Sequence, residues 1–349
     1  MLLPHHRLAV LLHDGIKGNQ GKTGLTVLRY SPNPVVVVID REAVGESVIK
    51  NTGIQREVPI VGDIAAALAY QPDALVIGIA PSGGLIPDDW WPELQAAVRS
   101  GISIVNGLHT KLHGHPQLPA LQPGQWIWDV RQPPLIIRIG SGAAQDLSCQ
   151  RVLMVGTDMA IGKMSAGLEL QKVAVAQGIK SKFVATGQAG LMISGSGVAL
   201  DAIKVDHAAG SIEQTVLDHS PGQDLLIIEG QGSILHPGST ATLPLLRGSQ
   251  PTQLILVHKA GQTTVRNCPQ VSIPPLADVV RLYEQLVTAG GAFKPAPVVA
   301  VAINGVNLND EELRAYLDRV TQETGLPCTD AIRFGAEPLL AAILAQKAI

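Results

Sequence analysis

Short runs of branched apolar residues, each closed by glycine, proline or a charge, recur along the chain. Between them lie longer stretches whose apolar positions repeat at helical spacing. Runs of this kind suit strands buried on both faces, as in a parallel sheet covered by helices. In the first third, residues 8–12, 35–39, 74–80 and 102–106 read as strands. Residues 64–70, between Gly62-Asp63 and Gln71-Pro72-Asp73, read as a helix, as does the segment from Asp88 or Trp91 to Arg99. Residues 81–84, with two glycines, read as a turn. The alternation predicts a parallel, Rossmann-like sheet.

Pro116, Pro119, Pro123, Pro133 and Pro134 then crowd together, interrupting regular structure and marking a boundary. Two domains follow, at 1–134 and 135–349. In the second, 151–155, 183–185, 225–228, 254–257 and 298–303 read as strands. Residues 163–177, 278–289 and 309–323 read as helices, with Asn309 or Asp310 as the cap of the last. The glycine-rich segment 186–201 reads as a loop, either a second anion or carboxylate site built on its amides or a plain mobile connection, and Asp206 and His207 are expected to cap the helix after it, to make local hydrogen bonds or to position substrate. The fold class is α/β: a Rossmann-like domain, then a P-loop NTPase-like doubly wound domain with a parallel sheet.

Composition narrows the function. Only 3% of residues are aromatic, 16% are charged and the formal net charge is -3, with no basic stripe, which excludes a nucleic-acid surface. The apolar runs fall short of the roughly 18 residues a spanning helix needs, so no membrane partner is expected and the protein should be soluble and cytoplasmic. Cys149, Cys268 and Cys328 are odd in number and far apart, giving neither a disulfide framework nor a zinc knuckle. His109, His113 and His115 lack a carboxylate or cysteine to complete a ligand set, and no metal site is expected.

The chemistry-bearing segment is Arg151 to Gly178, where a strand leads into Gly156-Thr157-Asp158-Met159-Ala160-Ile161-Gly162-Lys163 and then into a helix. Loop amides converge on an anion, the helix N-terminus adds positive potential and Lys163 supplies a full charge. Gly156, Thr157, Asp158, Gly162, Lys163, Met164 and Ser165 are the candidate phosphate-binding residues. The spacing departs from the commonest form: five residues separate the glycines, and Met164 stands where a serine or threonine usually follows the lysine. The hydroxyl comes one position later, at Ser165, about 100° further round the helix. A magnesium ligand is therefore displaced, which weakens ATP hydrolysis more than phosphate binding.

The Gly-Thr-Asp-x-x-x-Gly-Lys loop is similar to that of dethiobiotin synthetase, and Ile227-Ile228-Glu229-Gly230-Gln231-Gly232 resembles the strand-end segment beside that enzyme's loop. Taken with GTDMAIGKMS, GQAGLMISGSG and IIEGQGSILHPG, the chain resembles more closely the bacterial and archaeal D-glutamate N-acetyltransferase family. The likeness is strongest from about 150 to 270. The resemblance implies acetyl-CoA as donor and a D-amino acid, D-glutamate, as acceptor; the dethiobiotin synthetase likeness leaves an ATP- and magnesium-dependent ligase or kinase as the alternative. A nucleotide-sensing regulatory protein is the third reading. Relatives with such P-loop domains suggest a homodimer acting on a small molecule.

The remaining candidates lie at strand ends, where ligands gather in open α/β sheets. Glu229 is the candidate general base and His236 a proton shuttle. Gln188, Gln231, Lys259 and Arg266 are candidate substrate-binding residues; Arg266 suits a carboxylate clamp.

Overall fold

The computed structural model describes residues 2–18, 20–79, 81, 83–134 and 138–346. It divides into two compact units, 1–132 with Gln188–Gly195, and 133–187 with 196–349.

In the first unit the strands are β1 (Leu8–Leu11), β2 (Val35–Ile39), β3 (Ile60–Val61), β4 (Ala74–Ile77), β5 (Ser103–Asn106) and β6 (Ile127–Asp129). Every pair is parallel, in the order β3-β2-β1-β4-β5-β6, the Rossmann order. Its helices are α1 (Lys22–Tyr30), α2 (Val48–Thr52), α3 (Ile64–Ala67) and α4 (Trp91–Arg99). The helix expected over 64–70 tightens into a 3-10 turn at Leu68–Tyr70. Ala80 and Ser82, part of the expected strand and turn there, lie outside the described residues. The proline-rich stretch is not wholly irregular, since β6 adds an edge strand between Pro123 and Pro133. His115 stacks on Trp91 and His109 meets Arg131, so these histidines make local contacts. Among the described residues no group of three or more His, Cys, Asp or Glu is placed to hold a metal.

The second unit carries β7 (Gln150–Gly156), β8 (Ser181–Val184), β9 (Leu225–Ile228), β10 (Gln253–Lys259), the hairpin β11 (Thr264–Val265) and β12 (Cys268–Ser272), β13 (Val298–Asn304) and β14 (Cys328–Thr329). Its main sheet is wholly parallel, β14-β13-β10-β7-β9-β8. The helices are α5 (Lys163–Ala176), α6 (Gln188–Ser194), α7 (Val205–His219), α8 (Thr242–Ser249), α9 (Leu276–Thr288), α10 (Asp310–Thr324) and α11 (Glu337–Ala345). Of these, α6 groups with the first unit. The segment expected to be a loop, 186–201, thus contains a helix and a 3-10 turn at Leu200–Ala202. Asp206 and His207 lie inside the first turn of α7, whose N-cap is Lys204, and neither caps it. Asn309 caps α10 in a reciprocal box with Glu312, as its side chain allows.

Burial explains the sheet. Val152 to Val155, Leu225 to Ile228, Leu254 to Val257 and Val298 to Ala302 are all nearly solvent-free, covered on both faces. Gly167 lets α5 lie close, for a Cβ there would sit 2.8 Å from the Phe183 ring. Among the described residues no helix is long and apolar enough to cross a membrane.

Candidate functional site

The loop after β7 begins at the strand's last residue, Gly156, and ends where α5 starts at Lys163. Ala160 and Gly162 take left-handed backbone angles, φ 55° and 112°, which close the loop onto the helix. An L side chain rarely adopts the second, so that position calls for glycine. Gly156 has no room for a side chain either: a Cβ would lie 2.8 Å from Ile161 Cδ1.

The loop is braced from beneath. The Tyr283 hydroxyl donates to the Gly156 carbonyl at 2.7 Å, and Asn304 Nδ2 donates to the Ile161 carbonyl at 3.0 Å. Asp158 is buried, and its carboxylate accepts from the amides of Met159 and Arg266, each at 2.6 Å, and from Gln262 Nε2. The Thr157 hydroxyl pairs with His258 Nδ1 at 2.9 Å, and His258 Nε2 with the Tyr316 hydroxyl at 3.1 Å. Burial pushes the His258 imidazole down to about 4, so it is neutral at neutral pH and bonds as donor at one nitrogen and acceptor at the other. Burial also pushes the Tyr283 phenol above its ordinary value. The side chains of Thr157 and Asp158 therefore hold the loop in shape, leaving its backbone to meet a ligand.

Lys163 is 6% exposed and its ammonium donates to the Asp158 carbonyl at 2.7 Å. Met164 and Ser165 are half-buried in the first turn of α5. The Ser165 hydroxyl makes no hydrogen bond among the described residues.

Beside the loop, β9 delivers Glu229, which is 4% exposed. Its Oε2 accepts from the amides of Thr186 at 2.9 Å and Gly187 at 3.1 Å, and its Oε1 from Gln231 Nε2 at 3.1 Å. The Thr186 hydroxyl returns a bond to the Glu229 carbonyl at 2.8 Å. Glu229 thus knits the ends of β8 and β9 together. Gly230 passes so close to β7 that a Cβ would sit 1.6 Å from the Met154 carbonyl oxygen and 3.0 Å from Lys163 Cδ. Glu229, Gln231 and Lys163 are in this way assembled round one strand end.

The other candidates are more scattered. His236 is half-buried, and its Nδ1 accepts from the Gly238 amide at 3.0 Å, closing the Pro237-Gly238 turn. Gln188 opens α6, in the first unit. Lys259 and Arg266 line a cavity of about 640 Å³ that borders the loop at Met159 and Ile161. The bracing residues Tyr283, Tyr316 and Asn304 escape sequence reading. Only Asn304 carries a signal, as a polar residue ending the apolar run 298–303.

Two relatives in sequence bear the name D-glutamate N-acetyltransferase. One, from Tritonibacter scottomollicae, is 39% identical over 275 residues, 78% of this chain and 81% of that protein. The other, from a Pseudoalteromonas species, is 35% identical over 270 residues, 76% of this chain and 80% of that protein. A crystal structure of a DUF1611 family protein from Anabaena variabilis is 57% identical, with a TM-score of 0.95 over 98% of this chain and all of that one. Residues 138–340 match the family described as a domain of unknown function, the DUF1611 C-terminal P-loop domain. Residues 41–133 match its N-terminal partner, described as Rossmann-like. With both domains matched in chain order, the chain belongs to the DUF1611 family.

Proposed function

We propose that this chain is an N-acetyltransferase that moves the acetyl group of acetyl-CoA to the amine of a D-amino acid, with D-glutamate the leading acceptor. The observation that carries the reading is the pair of relatives named D-glutamate N-acetyltransferase, each aligned over three-quarters of the chain. The site is compatible with it. A thioester already stores the energy that a ligase draws from ATP, so the loop need only grip the donor's diphosphate through its amides and Lys163. A magnesium-ligating hydroxyl directly after the lysine, absent here because that residue is Met164, is not required for that grip.

In the proposed reaction the acceptor's ammonium loses a proton and its nitrogen attacks the thioester carbonyl carbon. The C–N bond forms, the nitrogen gives up its second proton, the C–S bond breaks, and the thiolate leaves to take up that proton. Glu229 is the carboxylate proposed to receive the ammonium proton, which requires the Gln231 amide to release Oε1. Gln231, once released, is placed to orient the acceptor. His236 is proposed to hand that second proton from Nε2 to the departing thiolate as an imidazolium, which requires Nδ1 to be protonated and to turn from the Gly238 amide.

The test is thiol release from acetyl-CoA with a panel of D- and L-amino acids, without ATP or magnesium, beside an ADP-release assay. CoA release with D-glutamate supports the proposal, and release with another amino acid keeps the mechanism and replaces the acceptor. Magnesium-dependent ADP release with a small acid refutes it in favour of a ligase.

A further inference from the structure

The cavity beside the phosphate loop has its own chemistry. It holds about 640 Å³, and its lining includes Met159, Ile161, Lys259, Gln262, Arg266 and Asn307. That volume suits a nucleoside phosphate. Lys259 ends β10 and Arg266 follows β11. The side chains of both make no hydrogen bond or ion pair among the described residues, and no acidic side chain lines the cavity. Asp158, behind the loop, spends its carboxylate on the amides of Met159 and Arg266 and on Gln262, fixing the cavity wall to the loop. Two uncommitted cations beside side-chain amides form a place for a second anion and a hydrogen-bonding ring.

Strand order says which part of a ligand arrives there. The sheet runs β13-β10-β7-β9-β8, so β10, with Lys259, and β9, with Glu229, flank the loop strand on opposite sides. Two strand spacings, about 10 Å, separate their ends. No residue from β9 or from the loop after it lines the cavity. An acceptor whose amine meets Glu229 lies on one side of the loop, and the cations lie on the other.

Resting on the acetyl-CoA reading, we infer that this cavity binds the adenosine 3′-phosphate end of CoA, with Lys259 and Arg266 holding the 3′-phosphate, rather than the acceptor's carboxylate. The diphosphate sits on the Gly156–Lys163 loop and the thioester arm runs towards Glu229. ATP carries its phosphates in a single chain and leaves the two cations unanswered; CoA carries an additional phosphate on the ribose.

The experiment is calorimetric binding of CoA and 3′-dephospho-CoA to the full chain at low salt. Wild-type protein should prefer CoA by about tenfold or more, the scale of one charge-assisted contact. The preference should shrink with added salt. In Lys259→Ala/Arg266→Ala the preference should vanish, with 3′-dephospho-CoA binding as in wild type. Equal wild-type affinities for the two ligands overturn the inference and leave the donor reading standing. So does a preference that survives the double substitution, or a variant whose only defect is a raised KM for the amino acid. Binding of neither ligand overturns both.

Discussion

Replacing Lys163 separates what the loop does for the ligand from what it does for the fold. The ammonium lies 2.7 Å from the Asp158 carbonyl, and the stem passes over Gly156 and Gly230, whose added Cβ atoms would meet Lys163 Cδ at 3.2 and 3.0 Å. The sequence alone suggests a lysine facing open ligand space, whereas the structure packs its stem. Lys163→Ala therefore removes both buried methylenes and a charged hydrogen bond, and should lower stability by about 1–3 kcal/mol. Lys163→Met keeps most of the stem and isolates the charge. A charged group on phosphate contributes about 1.5–3 kcal/mol, so both variants should bind CoA about 10- to 150-fold more weakly. The lower end is expected if the ammonium must first leave the Asp158 carbonyl. Calorimetric titration at fixed salt measures the affinity, and urea unfolding of the same samples shows that each remains cooperatively folded. A folded Lys163→Met protein whose affinity stays within about threefold of wild type refutes phosphate binding by this lysine.

Glu229→Gln should lower turnover far more than it weakens donor binding: Gln231 can flip its amide to present oxygen, so the strand ends stay tied and only the charge is lost. A wild-type rate in steady-state assay would reduce Glu229 to the tie alone. Gly230→Ala should leave little folded protein, because its Cβ would collide with the Met154 carbonyl, which is backbone and cannot step aside; normal yield and a normal melting curve would contradict the geometry. His258 titrates at about 4 when folded, against about 6.5 when unfolded, so the unfolded chain binds more protons between those values. Its contribution, up to about 3 kcal/mol, is present above 6.5 and is lost as pH falls towards 4. Urea midpoints should therefore fall less steeply with acid in His258→Gln than in wild type, and parallel curves would exclude the effect.

Most of both sheets was legible because a buried parallel strand leaves a short, unbroken run of branched residues. Residues 35–39 and 225–228 match β2 and β9 to the residue. Residues 254–257 fall three residues short of β10 because Gln253, His258 and Lys259 are polar. Two of those polar residues are buried for a reason that spacing does not reveal: Gln253 donates to the Ile343 carbonyl and His258 joins Thr157 to Tyr316. The helix in 186–201 was hidden by glycine and serine at positions where helical periodicity would show. With seven residues and Gly190 inside it, α6 draws its stability from tertiary packing rather than propensity.

The site divides along the same line. A strand, a glycine loop and a lysine in sequence order are local, so Gly156 to Lys163 could be read from the chain. What shapes the loop is distant: Tyr283 lies 127 positions from the Gly156 carbonyl it holds, and Asn304 lies 143 from Ile161. A single chain shows no pairing across such separations, and a tyrosine inside an amphipathic helix looks like core until its hydroxyl is found on the loop. The inward-facing Asp158 follows the same logic. In sequence it stands among ligand residues, yet a buried carboxylate with three donors is already satisfied and would repel a phosphate. The motif thus marks the loop proposed to hold an anion, while the residues that brace its backbone come from β10, β13, α9 and α10.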